Sequence, residues 1–229
     1  MSDCQGHTDD YETLRAVERT CATVEPAKIR HNLLFLQKFF RHGTRIASVW
    51  PSSRFMARAS IHRADFSSAR CIVELGAGTG PITSEILKRL REPTQFLALE
   101  RDPDFFTVLQ QRFPRQANVR ILRGDVGHLD TILSDHGIAP QGVDCFVSGL
   151  GTPSLPAAVR QHLFAAVRKY LRPDGFFSNI TEVPFYYLRF YRSIFEHVSF
   201  QFVTRNFPPG GVYHCRNIRA NAAELAAGR

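Results

Sequence analysis

Cys71-Ile72-Val73-Glu74-Leu75-Gly76-Ala77-Gly78-Thr79-Gly80 decides the fold of this chain. An apolar run enters three alternate glycines, and a helical pattern follows. A second apolar run, Phe96-Leu97-Ala98-Leu99, then delivers Glu100. This spacing sets a ligand of nucleotide type across the ends of two parallel strands. Glycine lets backbone approach a ligand where a Cβ would clash. An acid at the second strand end accepts hydrogen bonds from a ribose diol.

Outward from this stretch, strands and helices alternate. The pattern predicts a strand over 71–75, a helix over 82–91, a strand over 95–100 and a helix opened by Asp102-Pro103. A strand over 119–122 ends in Arg123-Gly124-Asp125, and one over 143–147 ends in Ser148-Gly149. A helix from about Pro156 to Leu171 is stopped by Arg172-Pro173-Asp174-Gly175, and a strand over 176–181 follows. Such alternation indicates an α/β fold with a parallel sheet covered on both faces. After Pro184 one helical stretch carries Phe185, Tyr186, Tyr187, Phe190, Tyr191 and Phe195, with Arg189 and Arg192 between them. Strand patterns over 200–204 and 212–215, joined by Arg205-Asn206-Phe207-Pro208-Pro209-Gly210-Gly211, predict an antiparallel hairpin that closes the sheet.

The chain has 229 residues and a net charge of +8, unevenly spread. Residues 1–25 hold six acids and two bases, and read as a flexible acidic leader. Residues 26–70 hold nine Lys/Arg and one acid, Asp65. A basic block fits nucleic acid, anionic lipid or a solvated face. The expected organisation is a leader over 1–25, a basic amphipathic helical segment over 26–65, an α/β domain over 66–219 and a frayed tail over 220–229. No apolar run approaches the roughly 18 residues that span a bilayer, and no secretory signal stands at the N-terminus. Cys4, Cys21, Cys71, Cys145 and Cys215 are scattered, form no metal pair and fit a reducing cytoplasm.

From Ile29 to His42 the pattern is an amphipathic helix. Ile29, Leu33, Leu36 and Phe40 share one face, widened by Phe35 and Phe39, with Arg30, His31, Lys38, Arg41 and His42 opposite. Such a helix lies in a membrane interface through Phe35, Lys38, Phe39, Phe40 and Arg41, or packs the same apolar face on the domain. Farther on, Ser53 caps a short helix over 54–59 whose first N–H groups suit an anion, or it is an ordinary cap.

Three ligands compete for the glycine loop. A nicotinamide dinucleotide usually wants GxGxxG, whereas this loop is GxGxG with Pro81 opening the helix. A phosphate-binding P-loop needs GxxxxGK[ST], which is absent. S-adenosylmethionine lacks a pyrophosphate and tolerates the looser turn.

At these residues the chain resembles the class I S-adenosylmethionine-dependent methyltransferases, through Glu74-Leu75-Gly76-Ala77-Gly78-Thr79-Gly80, Glu100 and Gly124-Asp125. The resemblance implies a Rossmann-like sheet of seven strands with the last one antiparallel. It implies that the 76–80 loop passes the methionine moiety, Glu100 takes the ribose hydroxyls and Asp125 approaches the adenine amino group. The expected cofactor contacts are Glu74, Gly76, Ala77, Gly78, Thr79, Gly80, Glu100, Arg101, Asp125, Val126, Ser148 and Gly149, with no metal.

Rarer features narrow the acceptor. Trp50-Pro51-Ser52-Ser53-Arg54, the basic helix before it, Ser148-Gly149-Leu150, and Arg205-Asn206-Phe207-Pro208-Pro209 resemble bacterial phospholipid N-methyltransferases over about residues 32–216. This implies a cytoplasmic enzyme, peripheral on the inner membrane, that methylates a lipid headgroup amine. The acceptor so implied is phosphatidylethanolamine and its mono- and dimethyl derivatives, with an ornithine lipid as the alternative. Relatives often end the strand over 176–181 in a Tyr-Gly-Pro type sequence, where this chain reads Asn179-Ile180-Thr181-Glu182-Val183-Pro184. Expected acceptor contacts are Ser52, Ser53, Leu150, Glu182, Arg189 and Arg205; Glu182 suits a cationic group and the arginines a lipid phosphate. Tyr186, Tyr187 and His214 are the candidates to take the amine proton or cage a methylated ammonium. An enzyme of the rRNA adenine dimethyltransferase type would place an aromatic sequence after the 143–147 strand to stack a flipped base; here stands Ser148-Gly149-Leu150-Gly151. A binding module without turnover is the remaining alternative.

Overall fold

The structure, a computed structural model, describes residues 54–183, 185–206 and 209–228. The leader, the 29–42 helix with Phe35, Lys38, Phe39, Phe40 and Arg41, and the pair Ser52 and Ser53 lie outside these residues.

The decisive stretch forms strand β1 (Cys71–Leu75), whose five residues are all buried. A strand buried on both faces reads as a continuous apolar run, and β2 (Gln95–Glu100) and β4 (Val143–Ser148) repeat that pattern. With β3 (Val119–Arg123) and β5 (Leu171–Thr181) they build the parallel part of a seven-stranded sheet of order β3-β2-β1-β4-β5-β7-β6. The order reverses between β1 and β4, and ligands bind outside the strand ends at such a switch point.

The far edge is a hairpin of β6 (Phe195–Val203) and β7 (Gly210–Ile218). Strand β7 lies antiparallel between β5 and β6, which gives the sheet expected of the class I methyltransferases. One core covers the face of Val73, Leu75, Phe146 and Phe177; the other covers Ile72, Phe96, Cys145 and Phe176. Cys71, Cys145 and Cys215 are buried free thiols, and burial raises each above the usual thiol range.

Several elements differ from the sequence expectation. The helix over 82–91 is shorter, Pro81–Leu87 (α2). Residues 129–135, to which the sequence pattern assigns no element, form a helix after β3. Pro173-Asp174-Gly175 does not end before a separate strand; it sits in a register shift inside β5. The aromatic stretch is helical only over Leu188–Ile194, because Phe195 already opens β6. The tail does not fray: Ala222–Ala227 is a helix whose Ala222 and Ala226 are buried. The buried Arg160 guanidinium donates from Nε to the Ala226 carbonyl at 2.6 Å and from Nη1 to the Leu155 carbonyl at 2.6 Å. Small residues that look like a loose end are what allow this close docking.

Helix α1 (Arg54–Ser60) also belongs to the folded body. Met56 and Ala59 pack on Val203 and Val212, while Ala57 enters the second core. Glu85 of α2 ties it down: its carboxylate, only 3% exposed, accepts from Arg58 Nε at 3.0 Å, Lys88 Nζ at 2.7 Å and Arg89 Nη1 at 3.2 Å. Burial alone would raise this carboxyl, but the three hydrogen bonds hold it at about 2. A depressed carboxylate stabilises the fold fully above its unfolded value near 4.5, and that stability is lost as pH falls from there towards about 2. The cationic partners are half exposed, so the contribution is modest. Glu85→Ala should destabilise by about 2 kcal/mol and lower Tm by roughly 4–8 °C. Thermal unfolding at neutral pH tests this, and the difference from wild type should shrink in acid.

Candidate active site

At the switch point a cleft of about 360 Å³ opens between the ends of β1, β2, β3 and β4. Gly76, Gly78 and Gly149 form its floor, and Glu100, Arg101 and Asp125 form its polar side. Leu99, Pro103, Phe105, Val126, Leu155 and Val159 make apolar walls. The volume lies within the usual range of about 300–1,000 Å³ for small-molecule sites.

The loop after β1 leaves the sheet through Gly76, Gly78 and Gly80 at φ of 74°, 57° and 82°. Side chains are strained there and glycine is not. The Gly76 and Ala77 N–H groups donate to the Leu99 carbonyl at 2.9 and 3.0 Å, locking the loop to β2. Leu150 leans directly over Gly76, so closely that a Cβ on Gly76 would lie 2.2 Å from its side chain.

Glu100 is buried, and its carboxylate bridges two loops. Oε2 accepts from the Gly78 N–H at 2.7 Å and Oε1 from the Asp102 N–H at 2.8 Å. Burial raises this carboxyl, against the pull of those N–H groups. Each oxygen keeps a lone pair for a further donor. Asp125 accepts the Gly127 N–H on Oδ1 at 2.8 Å, while Oδ2 takes Arg101 Nη1 at 3.2 Å across the mouth of the cleft. Glu74 lies fully buried beneath the loop. Its Oε2 accepts from the Thr83 hydroxyl at 2.6 Å, and burial pushes the carboxyl up to about 8. Among the described residues its Oε1 accepts no hydrogen bond, an orphaned position suited to a cationic or donor group.

Of the expected cofactor residues, Gly76, Gly78, Glu100, Arg101, Asp125, Val126 and Gly149 line the cleft. Ala77, Thr79 and Gly80 are buried behind the lining and shape the turn; the Thr79 carbonyl accepts from Arg112 Nη1 at 2.6 Å. Ser148 is likewise buried. Its hydroxyl pairs with the Thr152 hydroxyl at 3.2 Å, and Thr152 donates to Asn179 Oδ1 at 2.6 Å. This network fixes the 149–155 loop from below. Pattern reading did not single out Thr152 or Asn179, because their partners lie 27 residues apart in sequence.

The acceptor-side residues divide. Leu150 joins the cofactor cleft itself. Tyr187 reaches the rim, its hydroxyl 3.2 Å from that of Ser154, with the Tyr186 ring edge-on against it. Glu182 follows the end of β5, and burial raises its carboxyl. Arg189 and Arg205 are exposed, with Arg205 stacked over Phe55. His214 is not among the residues that line the cleft. It is buried within β7 beside Ser178 and Ser199, its Nε2 3.3 Å from Gln201 Oε1. Burial, with Arg63, His62 and Arg216 nearby, lowers it to about 4. An alternating strand pattern cannot tell a histidine aimed at a site from one aimed into the sheet's packing.

The chain is 47% identical over 186 residues to the ornithine lipid N-methyltransferase of Singulisphaera acidiphila, covering 81% of this chain and 96% of that one. The chain belongs to the bacterial lipid N-methyltransferases. Residues 72–175 also match the family described as a methyltransferase domain. A probable ribosomal RNA small subunit methyltransferase A of Methanosarcina acetivorans is 33% identical over only 67 residues, 29% of this lipid N-methyltransferase and 24% of that protein. Among solved structures, phosphoethanolamine N-methyltransferase 1 of Haemonchus contortus, in complex with phosphoethanolamine and S-adenosylhomocysteine, aligns with a TM-score of 0.55 at 15% identity. That alignment covers 76% of this chain and 46% of the other, and shares the fold.

S-adenosylmethionine is therefore the cofactor of this N-methyltransferase. The residues present fit it. At Gly76 and Gly149 a Cβ would run into Leu150 and the Gly76 carbonyl, so backbone alone forms the floor; Glu100 retains acceptors for a diol, and the orphaned Glu74 oxygen suits a cationic ligand.

Proposed function

We propose that this enzyme transfers methyl groups from S-adenosylmethionine to the amine of an ornithine lipid. The carrying observation is the 47% identity to the Singulisphaera ornithine lipid N-methyltransferase, which extends over nearly all of that protein. Phosphatidylethanolamine, the acceptor first expected from sequence, becomes the second reading and rests on the family alone. The enzyme is proposed to work from the cytoplasmic face of the membrane as a peripheral protein; among the described residues no helix is long and apolar enough to cross a bilayer.

When bound, S-adenosylmethionine supplies a methyl group already activated on a sulfonium. The chain's task is then to orient and desolvate. In this reading Glu100 holds the ribose hydroxyls, the Gly76–Gly80 backbone passes the methionine end and Asp125 meets the adenine amino group. The ionised form of Glu74 balances the positive charge. The acceptor amine, like a lysine, has a free pKa of about 10.4 and must lose a proton before each attack. Apolar walls and a neighbouring cation both lower that value. An ornithine headgroup carries an ammonium and, where a phospholipid has phosphate, a carboxylate. Glu182 pairs with the ammonium, and Arg205 or Arg189 with the carboxylate. Tyr187 stands at the rim, where a ring holds a methylated ammonium face-on, with Tyr186 edge-on against it. His214 is left out, being buried in the sheet away from the cleft.

The test is direct: incubate the purified protein with methyl-labelled cofactor and separate vesicles of ornithine lipid, phosphatidylethanolamine or neither, then separate the lipids. Label should enter the ornithine lipid preferentially. Label in phosphatidylethanolamine alone sinks the headgroup assignment, and cofactor binding without turnover on either lipid sinks the enzymatic reading.

A further inference from the structure

The exposed large apolar side chains of the described residues gather at one place. Val183, Phe185, Tyr186 and Phe202 are 45%, 61%, 74% and 50% exposed, and all lie around the C-terminal end of β5 and the top of the β6–β7 hairpin. Contacts join them. The Phe185 ring packs at a tilt against Phe200, with ring centroids 4.8 Å apart, and Phe200 shares a face of β6 with Phe202, two residues on. Tyr186 leans on Tyr187, whose hydroxyl reaches Ser154 in the loop that roofs the cofactor cleft. Phe185 holds a φ of 66°, a left-handed conformation that a bulky side chain seldom adopts. A strained backbone that aims an aromatic ring into solvent calls for a function that repays the strain.

The rim is cationic. Arg189 stands one turn along from Tyr186, and Arg205 and Arg54 both lie over the Phe55 ring, at 5.7 and 5.2 Å. None of these three makes an ion pair among the described residues. Between Phe55 and Phe202 runs a groove of about 290 Å³ that Arg205 and Arg58 line. Apolar tips ringed by exposed arginines complement the two layers of an anionic bilayer, acyl chains beneath and phosphates above.

We infer that Val183, Phe185, Tyr186 and Phe202 insert into the membrane beside the cleft, with headgroup phosphates of anionic lipids on Arg189 and Arg205. The inference rests on the lipid-acceptor reading for its purpose, and it is separate from any contact made by the 29–42 helix. The patch brings the cleft mouth down to the depth of the headgroups, so that an acceptor amine enters without its acyl chains leaving the bilayer.

Two measurements test it on the full chain. In a Trp50→Phe background, which removes the chain's single tryptophan, Tyr186→Trp should show blue-shifted fluorescence with phosphatidylglycerol vesicles and quenching by bromine-labelled acyl chains. Fluorescence that vesicles leave unchanged overturns the inference, even if the protein sediments with them. Phe185→Ser with Phe202→Ser should weaken sedimentation with those vesicles by roughly ten-fold or more, while cofactor affinity stays at the wild-type value. Unchanged sedimentation, or a loss of self-association in its place, overturns it. Insertion by a protein that labels no lipid would fail the acceptor reading and leave the patch standing.

Discussion

Glu100→Ala should weaken the binding of S-adenosylmethionine by at least about a hundred-fold. The carboxylate does two things at once. It accepts the Gly78 and Asp102 N–H groups at 2.7 and 2.8 Å, which pins the glycine loop to the loop after β2. It also leaves a lone pair on each oxygen facing the cleft. Hydrogen bonds to a charged acceptor contribute about 1.5–3 kcal/mol each, so losing the loop anchor and the proposed ribose contacts together exceeds the 2.7 kcal/mol that corresponds to about a hundred-fold. Glu100→Gln separates charge from shape: its amide presents a donor to one of the two N–H groups, and the loop loses one anchor. The pH dependence has a defined sign. Burial raises this carboxyl, so it gains its proton above the usual carboxylate range as pH falls. Cofactor affinity should therefore carry a component that declines on acidification at a pH higher than an exposed glutamate would give, and Glu100→Gln should remove that component while the one set by Glu74, whose carboxyl stands at about 8, remains. Calorimetric titration across pH measures both. An affinity for Glu100→Ala within about three-fold of wild type sinks the assignment.

How much of this was legible follows from where each signal resides. The β1–β2–β4 half announces itself because strands buried on both faces must be continuously apolar, and because a left-handed turn under a ligand must be glycine. Glu100 was readable for the same reason: an acid closing an apolar run has no place in a core unless something satisfies it. What failed depends on contacts made at a distance. The tail helix reads as a loose end until Arg160, 66 residues away, donates to its last turn. The Ser148-Thr152-Asn179 network joins strands that only the sheet brings together. Phe195 looks helical among its aromatic neighbours because Phe190 and Tyr191 are helical, and only pairing with Ile218 turns it into a strand. His214 looked available because a strand histidine carries no mark of which face it shows. The acceptor was the hardest element to read. The residues proposed for it stand on separate loops after β4, β5 and β6, and no local pattern links loops that far apart.

Gly149→Ala should disable the cleft as thoroughly as loss of Glu100, by a different route. Gly149 follows β4 and donates its N–H to the Leu75 carbonyl at 2.9 Å, stitching β4 to β1 at the switch point. A Cβ there would lie 2.6 Å from the Gly76 carbonyl oxygen and 3.7 Å from that of Leu75. The Leu75 approach is an ordinary contact; the obstacle is the Gly76 carbonyl, backbone just beyond the end of β1, which is clamped between β2 and β4. It cannot swing aside as a side chain would. The Leu150 side chain over Gly76 could yield in part; the Gly76 carbonyl over Gly149 cannot, except by rotating the peptide that begins the glycine loop. That rotation would break the Gly76 and Ala77 N–H bonds to Leu99 and carry Gly78 away from Glu100. Overpacking of this kind costs about 1–3 kcal/mol of stability and roughly 2–10 °C in Tm. The larger effect falls on function, with cofactor affinity reduced by about a hundred-fold, since the loop geometry binds only when both strand ends hold it. Gly228→Ala is the control: its Cβ would meet only the Glu224 carbonyl, at an ordinary 3.7 Å. If Gly149→Ala binds cofactor like the control and melts within about 1 °C of it, then the close approach of β4 to the glycine loop does not form the floor of the site.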